Sequence, residues 1–107
     1  MEEIVLLETR KAFPKKAVFK LTFAVGEFDM VICDSDNVTC EIYEIKHSTE
    51  TTPQQYRHLV DQNKCKDAEF RYGTITRKGV IYRGESRSEG EIDYINVEEY
   101  LRRIAAI

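Results

Sequence analysis

Gly26 to Ser48, GEFDMVICDSDNVTCEIYEIKHS, predicts two antiparallel strands joined by a polar turn. The turn is Asp34-Ser35-Asp36-Asn37, which consists of residues that favour loops. Both faces of this hairpin are rich in apolar side chains, so both faces must be covered by other elements. The stretch therefore predicts a β-sheet flanked by helices, which is an α/β fold.

Three charged side chains interrupt the apolar hairpin: Asp29 on its first strand, and Glu44 and Lys46 on its second. Because side chains alternate between faces along a strand, Glu44 and Lys46 share a face. The predicted turn sets Asp29 opposite Ile42, and so on that same face, provided that the strands contain no bulge. All three charges are expected at the open end of the hairpin.

This charged group lies at the end of a covered face, where two carboxylates are costly unless positive charge offsets them. Lys46 offsets one charge, and a divalent cation would offset more. Two acids and a lysine at one strand end can form a metal-dependent site that cleaves phosphodiesters. The alternative is a cross-strand ion pair among Asp29, Glu44 and Lys46 that has only a structural role.

The rest of the chain predicts the order helix, three strands, helix, two strands, helix. The first helix is Met1–Phe13, and the strand Ala17–Val25 follows it before the hairpin. A second helix runs from Thr52 to about Cys65 or Lys66, with Pro53 at its first position and Gln55 completing a capping box. The remaining predicted elements are the strands Ala68–Thr76 and Val80–Arg83 on either side of a turn at Arg77-Lys78-Gly79, a short extended piece at Ile92–Ile95, and a last helix from Val97 to about Ala106 that Asn96 caps.

The composition describes one soluble globular domain, residues 1–107, with 42% hydrophobic and 33% charged residues. A net charge of −3 argues mildly against a free-standing nucleic-acid binder, which would usually be basic. Three cysteines without C-x-x-C spacing argue against a zinc site. No apolar run approaches the roughly 20 residues of a membrane span, so we expect no membrane association and a cytoplasmic location.

With Asp29 and the motif Glu44-x-Lys46 on the second and third strands, the chain resembles the PD-(D/E)xK nuclease superfamily over roughly Glu3 to Thr76. The resemblance implies a restriction-endonuclease-like mixed β-sheet flanked by helices, in the order αβββαββα. It also implies that Asp29 and Glu44 bind Mg²⁺ or Mn²⁺ and that Lys46 is the catalytic lysine. Glu8, on the first helix, would be a further metal ligand, and the carbonyl of Ile45 another.

A closer resemblance covers nearly the whole chain. The segments that carry it are Glu44-Ile45-Lys46, Tyr72-Gly73, Val80–Gly84 and Tyr94–Leu101, which look like the C-terminal nuclease-like domain of prokaryotic AAA-type ATPases. This implies the last part of a larger ATPase, or a separately encoded copy of it, with an ATPase module as partner. The chain has no phosphate-loop motif, so it does not itself hydrolyse ATP by the usual route.

Together these patterns predict a Mg²⁺-dependent deoxyribonuclease. The alternative is a catalytically inactive accessory domain of an AAA-type ATPase that mediates DNA or protein binding. Candidate phosphate contacts are Lys15, Lys16, Lys20 and Arg57, and His58 is interpreted as a solvated residue of the second helix. A homodimer or an ATPase partner would supply the positive surface that an acidic domain lacks.

Overall fold

Six strands form one mixed sheet with helices on both faces, which confirms the predicted fold class. The structure is a computed structural model that describes residues 1–50 and 56–107. Within those residues the elements are α1 (Glu2–Ala12), β1 (Ala17–Thr22), β2 (Glu27–Asp34), β3 (Thr39–Ile45), α2 (Gln62–Tyr72), β4 (Thr74–Tyr82), β5 (Arg87–Glu89), β6 (Ile92–Asn96) and α3 (Val97–Ala105). The sheet order is β1-β2-β3-β4-β6-β5.

Strands β1, β2 and β3 form an antiparallel meander, and β4 and β6 continue the sheet parallel to β3. The crossover from β3 to β4 contains α2, as a parallel connection requires. Helices α1 and α3 pack on one face and α2 on the other. The described helices include none that is long and apolar enough to span a membrane.

The central hairpin is buried between two apolar layers, as its composition predicted. Met30, Ile32, Tyr43 and Ile45 pack against α1 and α3. Val31, Cys40, Ile42 and Phe28 face α2 instead. Phe28 and Val31 share a face although they are three residues apart, so the strict alternation of β2 is interrupted between them.

The interruption is a β-bulge in β2. Phe19 pairs with Val31 and Leu21 pairs with Phe28, so the single residue Lys20 of β1 lies opposite two residues of β2. Those two residues are Asp29 and Met30. The bulge makes the predicted alternation wrong at Asp29, because it shifts the residues before Val31 by one position.

The predicted register between β2 and β3 is also wrong by two residues. Val31, rather than Asp29, lies opposite Ile42, and Asp34 pairs with Thr39. The turn is therefore residues 35–38, one position later than predicted, because the Asp34 carboxylate bonds the turn that follows it. Its Oδ1 accepts hydrogen bonds from the backbone N–H groups of Asp36 and Asn37 at 3.1 and 3.3 Å.

The last part of helix α2 occupies residues that were predicted to be a strand. Ala68–Tyr72, the first part of the predicted strand Ala68–Thr76, is helical. Asp61 begins this helix, since its side chain accepts a hydrogen bond from the Lys64 backbone N–H at 3.1 Å. Gly73, with a φ of 107°, follows its last residue.

The predicted start of the second helix cannot be compared with the structure, since Thr52, Pro53 and Gln55 lie outside the described residues. Residues 56–61 form a bend and turns, so the helix predicted there is wrong, whereas residues 62–66 are helical as predicted. The helix instead begins at Gln62.

Strand β4 runs without a break through Arg77-Lys78-Gly79. The prediction of a turn at these residues is therefore wrong. The two cations of β4 are paired within the sheet: Arg77 Nε lies 3.0 Å from Asp93 Oδ2 and Lys78 Nζ 3.2 Å from Glu91 Oε1. The predicted extended piece Ile92–Ile95 belongs to the parallel strand β6. Asn96 caps α3 as predicted, accepting from the N–H groups of Glu98 and Glu99.

Candidate functional site

The predicted acids meet at one edge of the sheet. Glu44 and Lys46 lie at the C-terminal end of β3, and Asp29 lies near the beginning of the antiparallel strand β2. The parallel strands β4 and β6 end at the same edge, at Tyr82 and Asn96. The C-terminal edge of parallel strands is where open α/β sheets commonly bind ligands.

Asp29 is positioned by the bulge and by a backbone hydrogen bond. The residue is 7% exposed, and its Oδ2 accepts the N–H of Ile45 at 2.7 Å. The backbone pairing of β2 with β3 ends at Met30 and Tyr43. Beyond that pair, the Asp29 carboxylate rather than the β2 backbone accepts a hydrogen bond from β3. Asp29 therefore reaches Glu44 despite the wrong register and the bulge.

Glu44 is the most deeply buried acid of the site, at 2% exposure. Its Oε2 lies 3.5 Å from Lys46 Nζ, whereas its buried Oε1 has no hydrogen-bond partner among the residues that the structure describes. Burial, together with the neighbouring charge and hydrogen bond of Asp29, raises the pKa of Glu44 to about 8. A protonated Glu44 or a bound cation would each relieve this uncompensated charge.

Burial also raises the pKa of Asp29, although the hydrogen bond from Ile45 opposes this effect. Both carboxyl groups thus have a raised pKa, mainly because burial disfavours their charged forms. Two adjacent carboxyls that cannot both ionise freely are typical of functional sites.

Lys46 lies at the boundary between the site and solvent. Its backbone N–H donates to the carbonyl of Ile81 at 2.9 Å, which ties the end of β3 to β4. Its side chain is 41% exposed while its Nζ faces the buried Glu44. The ammonium can therefore contact both the acid and a molecule that approaches from solvent.

The predicted helix acid, Glu8, is not brought to this group. Its Oε1 contacts Lys11 Nζ at 3.6 Å, and it lines a groove with Ile104 and Ala105 of α3. Glu2 of α1 instead approaches the site, since carboxylate oxygens of Glu2, Glu27 and Asp29 lie within 4.8 Å of one another. Six helical residues span about 9 Å, so only one of the two glutamates can face this edge.

Glu2 and Glu27 were missed by the sequence reasoning, although a signal was present. Helix α1 and strand β1 are joined by a short turn and run in opposite directions, so the start of α1 lies beside the end of β1. Lys20 of β1 accordingly binds both acids, at 2.8 Å from Glu2 Oε1 and 3.2 Å from Glu27 Oε2. These ion pairs raise the pKa of Lys20.

His58 lies in a turn against the site edge, not in a helix as interpreted. Its Nδ1 is 2.7 Å from Lys64 Nζ, and its ring packs on Gly26, immediately before Glu27. Partial burial, followed by the charges of Lys64 and Arg57, lowers the pKa of His58.

The candidate phosphate contacts separate into three groups. Lys15 and Lys16 precede Ala17, which pairs with Cys33 at the opposite, turn end of the hairpin. Lys20 is engaged by Glu2 and Glu27. Arg57 lies next to His58 near the site edge, where its charge and that of Lys46 both act on the imidazole.

Comparisons of the chain with protein-family models, with curated proteins and with solved structures returned no match. The geometry of the site is therefore the basis for assigning a function.

Proposed function

We propose that this protein is a metal-dependent phosphodiesterase that cleaves DNA, with Asp29 and Glu44 as ligands of Mg²⁺ or Mn²⁺. The observation that carries this proposal is the buried Glu44 Oε1, which has no hydrogen-bond partner among the described residues and lies beside a second buried acid. A structural ion pair would satisfy its carboxylate oxygens. An oxygen left without a partner is suited to a ligand that binds there.

The donor set fits a hard divalent cation. Mg²⁺ and Mn²⁺ prefer carboxylate oxygens and keep several water ligands, so two acids at a solvent boundary are sufficient protein ligands. Asp29 is preorganised for this role because the Ile45 N–H fixes one of its oxygens. The topology, an antiparallel meander followed by a parallel strand after a helical crossover, is also consistent with a PD-(D/E)xK nuclease.

A bound divalent cation would polarise the phosphoryl group and lower the pKa of a coordinated water. The protein's own residues orient the reactants. Lys46, with its ammonium between Glu44 and solvent, stabilises the negative charge that develops at phosphorus or orients the attacking water. Asp29 and Glu44 hold the charge that keeps the cation in place.

DNA would approach the edge where β3, β4 and β6 end. Lys46 and Arg57, whose charges both act on His58, supply positive side chains near there, while the net charge of −3 limits unaided affinity for a polyanion. A second copy of the chain or an AAA-type ATPase module would add the further positive surface that tight binding requires.

The test is cleavage of fluorescent single-stranded, double-stranded and branched DNA with Mg²⁺ or Mn²⁺, compared with EDTA. Lys46→Ala should lose at least about 100-fold in rate, as for loss of a group that stabilises transition-state charge. Lys11→Ala is the matched control, because Lys11 also contacts a glutamate at a similar distance, 3.6 Å, but on α1. Equal activity of both variants would contradict the proposed role of Lys46.

A second candidate function is an accessory domain that docks on an ATPase. It is favoured by a groove of about 600 Å³ between α1 and α3, which includes Met1, Ile4, Val97 and Leu101. Ile4, which is 56% exposed, presents part of the apolar lining of this groove to solvent. This candidate predicts DNA or protein binding without cleavage under any metal condition, and binding that Ile4→Glu abolishes.

A further inference from the structure

The acids at this edge form two groups that share Asp29. Asp29 contacts Glu44 on one side, and its carboxylate lies within 4.8 Å of Glu2 and Glu27 on the other. Two oxygens on opposite sides of a bound Mg²⁺ ion are about 4.2 Å apart. The oxygens of Glu2, Glu27 and Asp29, which lie within 4.8 Å of one another, are therefore spaced nearly closely enough to hold such an ion. Lys20 lies in that group.

Lys20 contacts both acids with a side chain that is 42% exposed. Glu2 Oε1 and Glu27 Oε2, which face Lys20 Nζ at 2.8 and 3.2 Å, are themselves buried, although both side chains are partly exposed. Lys20 Nζ is the charged, hydrogen-bonded partner of both oxygens. The ammonium of Lys20 therefore neutralises them as a charge, as a bound cation would.

We propose that Lys20 acts as a tethered counter-cation that fills a second cation position and limits the site to one divalent ion. This inference depends on the proposed metal site at Asp29 and Glu44. Charge supports it: four ionised carboxylates are balanced by Lys20, Lys46 and one divalent cation. A second divalent ion would leave two excess positive charges in the parent, but only one where an uncharged residue replaces Lys20.

The fold provides the reason that Lys20 is placed there. The bulge sets Lys20 opposite Asp29 and Met30, so the bulge that moves Asp29 out of regular alternation also brings the lysine beside it. Lys20 is thus a positioning residue that determines how many cations the site takes.

The experiment is calorimetric titration of Mn²⁺ into the parent, Lys20→Met and Lys20→Arg, with electron paramagnetic resonance of the Mn²⁺-loaded proteins. We expect one ion in the parent and in Lys20→Arg, and two ions in Lys20→Met. Two Mn²⁺ ions about 4 Å apart would be spin-coupled, a signature that one ion cannot give. Circular dichroism and thermal melting establish that each variant is folded.

The outcomes separate this inference from the proposed function. One ion in both the parent and Lys20→Met overturns the role of Lys20 and leaves the metal site intact. Two ions in the parent overturn it as well. Binding by none of the proteins overturns both proposals.

If Lys20→Met does not fold, the number of Mn²⁺ ions bound by a Glu27→Gln variant tests the inference instead. An unchanged stoichiometry of one supports the inference, because Glu27 then binds Lys20 and not the metal. Loss of an ion overturns it.

Discussion

The backbone N–H of Ile45 donates a 2.7 Å hydrogen bond to Oδ2 of Asp29. This bond lies just beyond the last backbone pairing of β2 with β3, so a side chain completes the hairpin where its backbones separate. The same carboxylate then lies between Glu44 on one side and Glu2 and Glu27 on the other. A structural bond therefore orients the acid that joins both groups of charges.

Replacing Asp29 should separate this structural role from metal binding. Asp29→Asn keeps an oxygen that can accept from Ile45, whereas Asp29→Ala leaves that N–H without its partner. We expect the Asn variant to be more stable than the Ala variant by about 1–3 kcal/mol, the cost of an unsatisfied buried donor. Urea unfolding at pH 7 with EDTA measures the difference, and equal stabilities would contradict the role of the hydrogen bond.

The stability of the metal-free protein should fall between pH 4.5 and about 8 because of Glu44. Its pKa rises from 4.5 to about 8 on folding, so the folded state binds more protons within this range. One such group lowers the free energy of unfolding by no more than about 1.4 kcal/mol per pH unit as pH rises, and its contribution is constant above the folded pKa.

The Glu44→Gln variant provides the comparison. Glutamine does not titrate, so the stability of the variant relative to that of the parent should increase from pH 5 to pH 8. Urea unfolding in EDTA across this range measures it. Parallel pH profiles for the two proteins would show that Glu44 has an ordinary pKa.

Much of the fold could be predicted from the sequence because its hairpin is apolar on both faces. The register and the bulge could not, because the placement of the turn depends on how Asp34 bonds it and the bulge depends on pairing with β1. The last part of helix α2, from Ala68 to Tyr72, was mistaken for a strand because aromatic residues such as Phe70 and Tyr72 favour strands. The cap at Asp61 was the available counter-signal.

The candidate site was predictable in part, because its two acids and its lysine lie on the same hairpin. Asp29 comes to lie beside Glu44 because its carboxylate accepts the Ile45 N–H beyond the last backbone pair of β2 and β3, although the predicted register is wrong and a bulge precedes Val31. Glu8 was chosen from its position beside the buried stripe of the first helix. Which acid of α1 reaches the site edge of the sheet depends on the direction of α1 relative to β1. The two elements run in opposite directions, and this brings Glu2 beside Lys20.

Substitution of Gly26 should be unusually costly. Its φ is 84°, and a Cβ there would overlap the ring of His58. Gly90 is the matched control, since its φ of 60° is also positive but a Cβ added there would meet no atom within 4 Å. We expect Gly90→Ala to cost about 1 kcal/mol from backbone strain and Gly26→Ala at least about 1 kcal/mol more.

A double-mutant cycle tests the cause of that difference. In a His58→Ala background, Gly26→Ala should cost about as much as Gly90→Ala, because the ring is no longer present. Thermal or urea unfolding of the variants gives the coupling. An undiminished cost without the ring would place the strain elsewhere.

The cap of α2 should also be measurable. Asp61→Ala removes the acceptor of the Lys64 N–H and should lower the free energy of unfolding by about 1 kcal/mol. Asp36→Ala, in the exposed turn between β2 and β3, should change stability by less than about 0.5 kcal/mol. Equal effects of the two substitutions would contradict a helix that begins after Asp61.

The most direct test of the metal site is calorimetric titration of Mn²⁺ into the parent, Glu44→Gln and Glu8→Gln. The site at Asp29 and Glu44 predicts binding by the parent, loss of binding in Glu44→Gln, and unchanged binding in Glu8→Gln, whose acid contacts Lys11 on α1. Binding that survives in Glu44→Gln, or a folded parent that takes no ion with or without a short DNA duplex, would contradict the site.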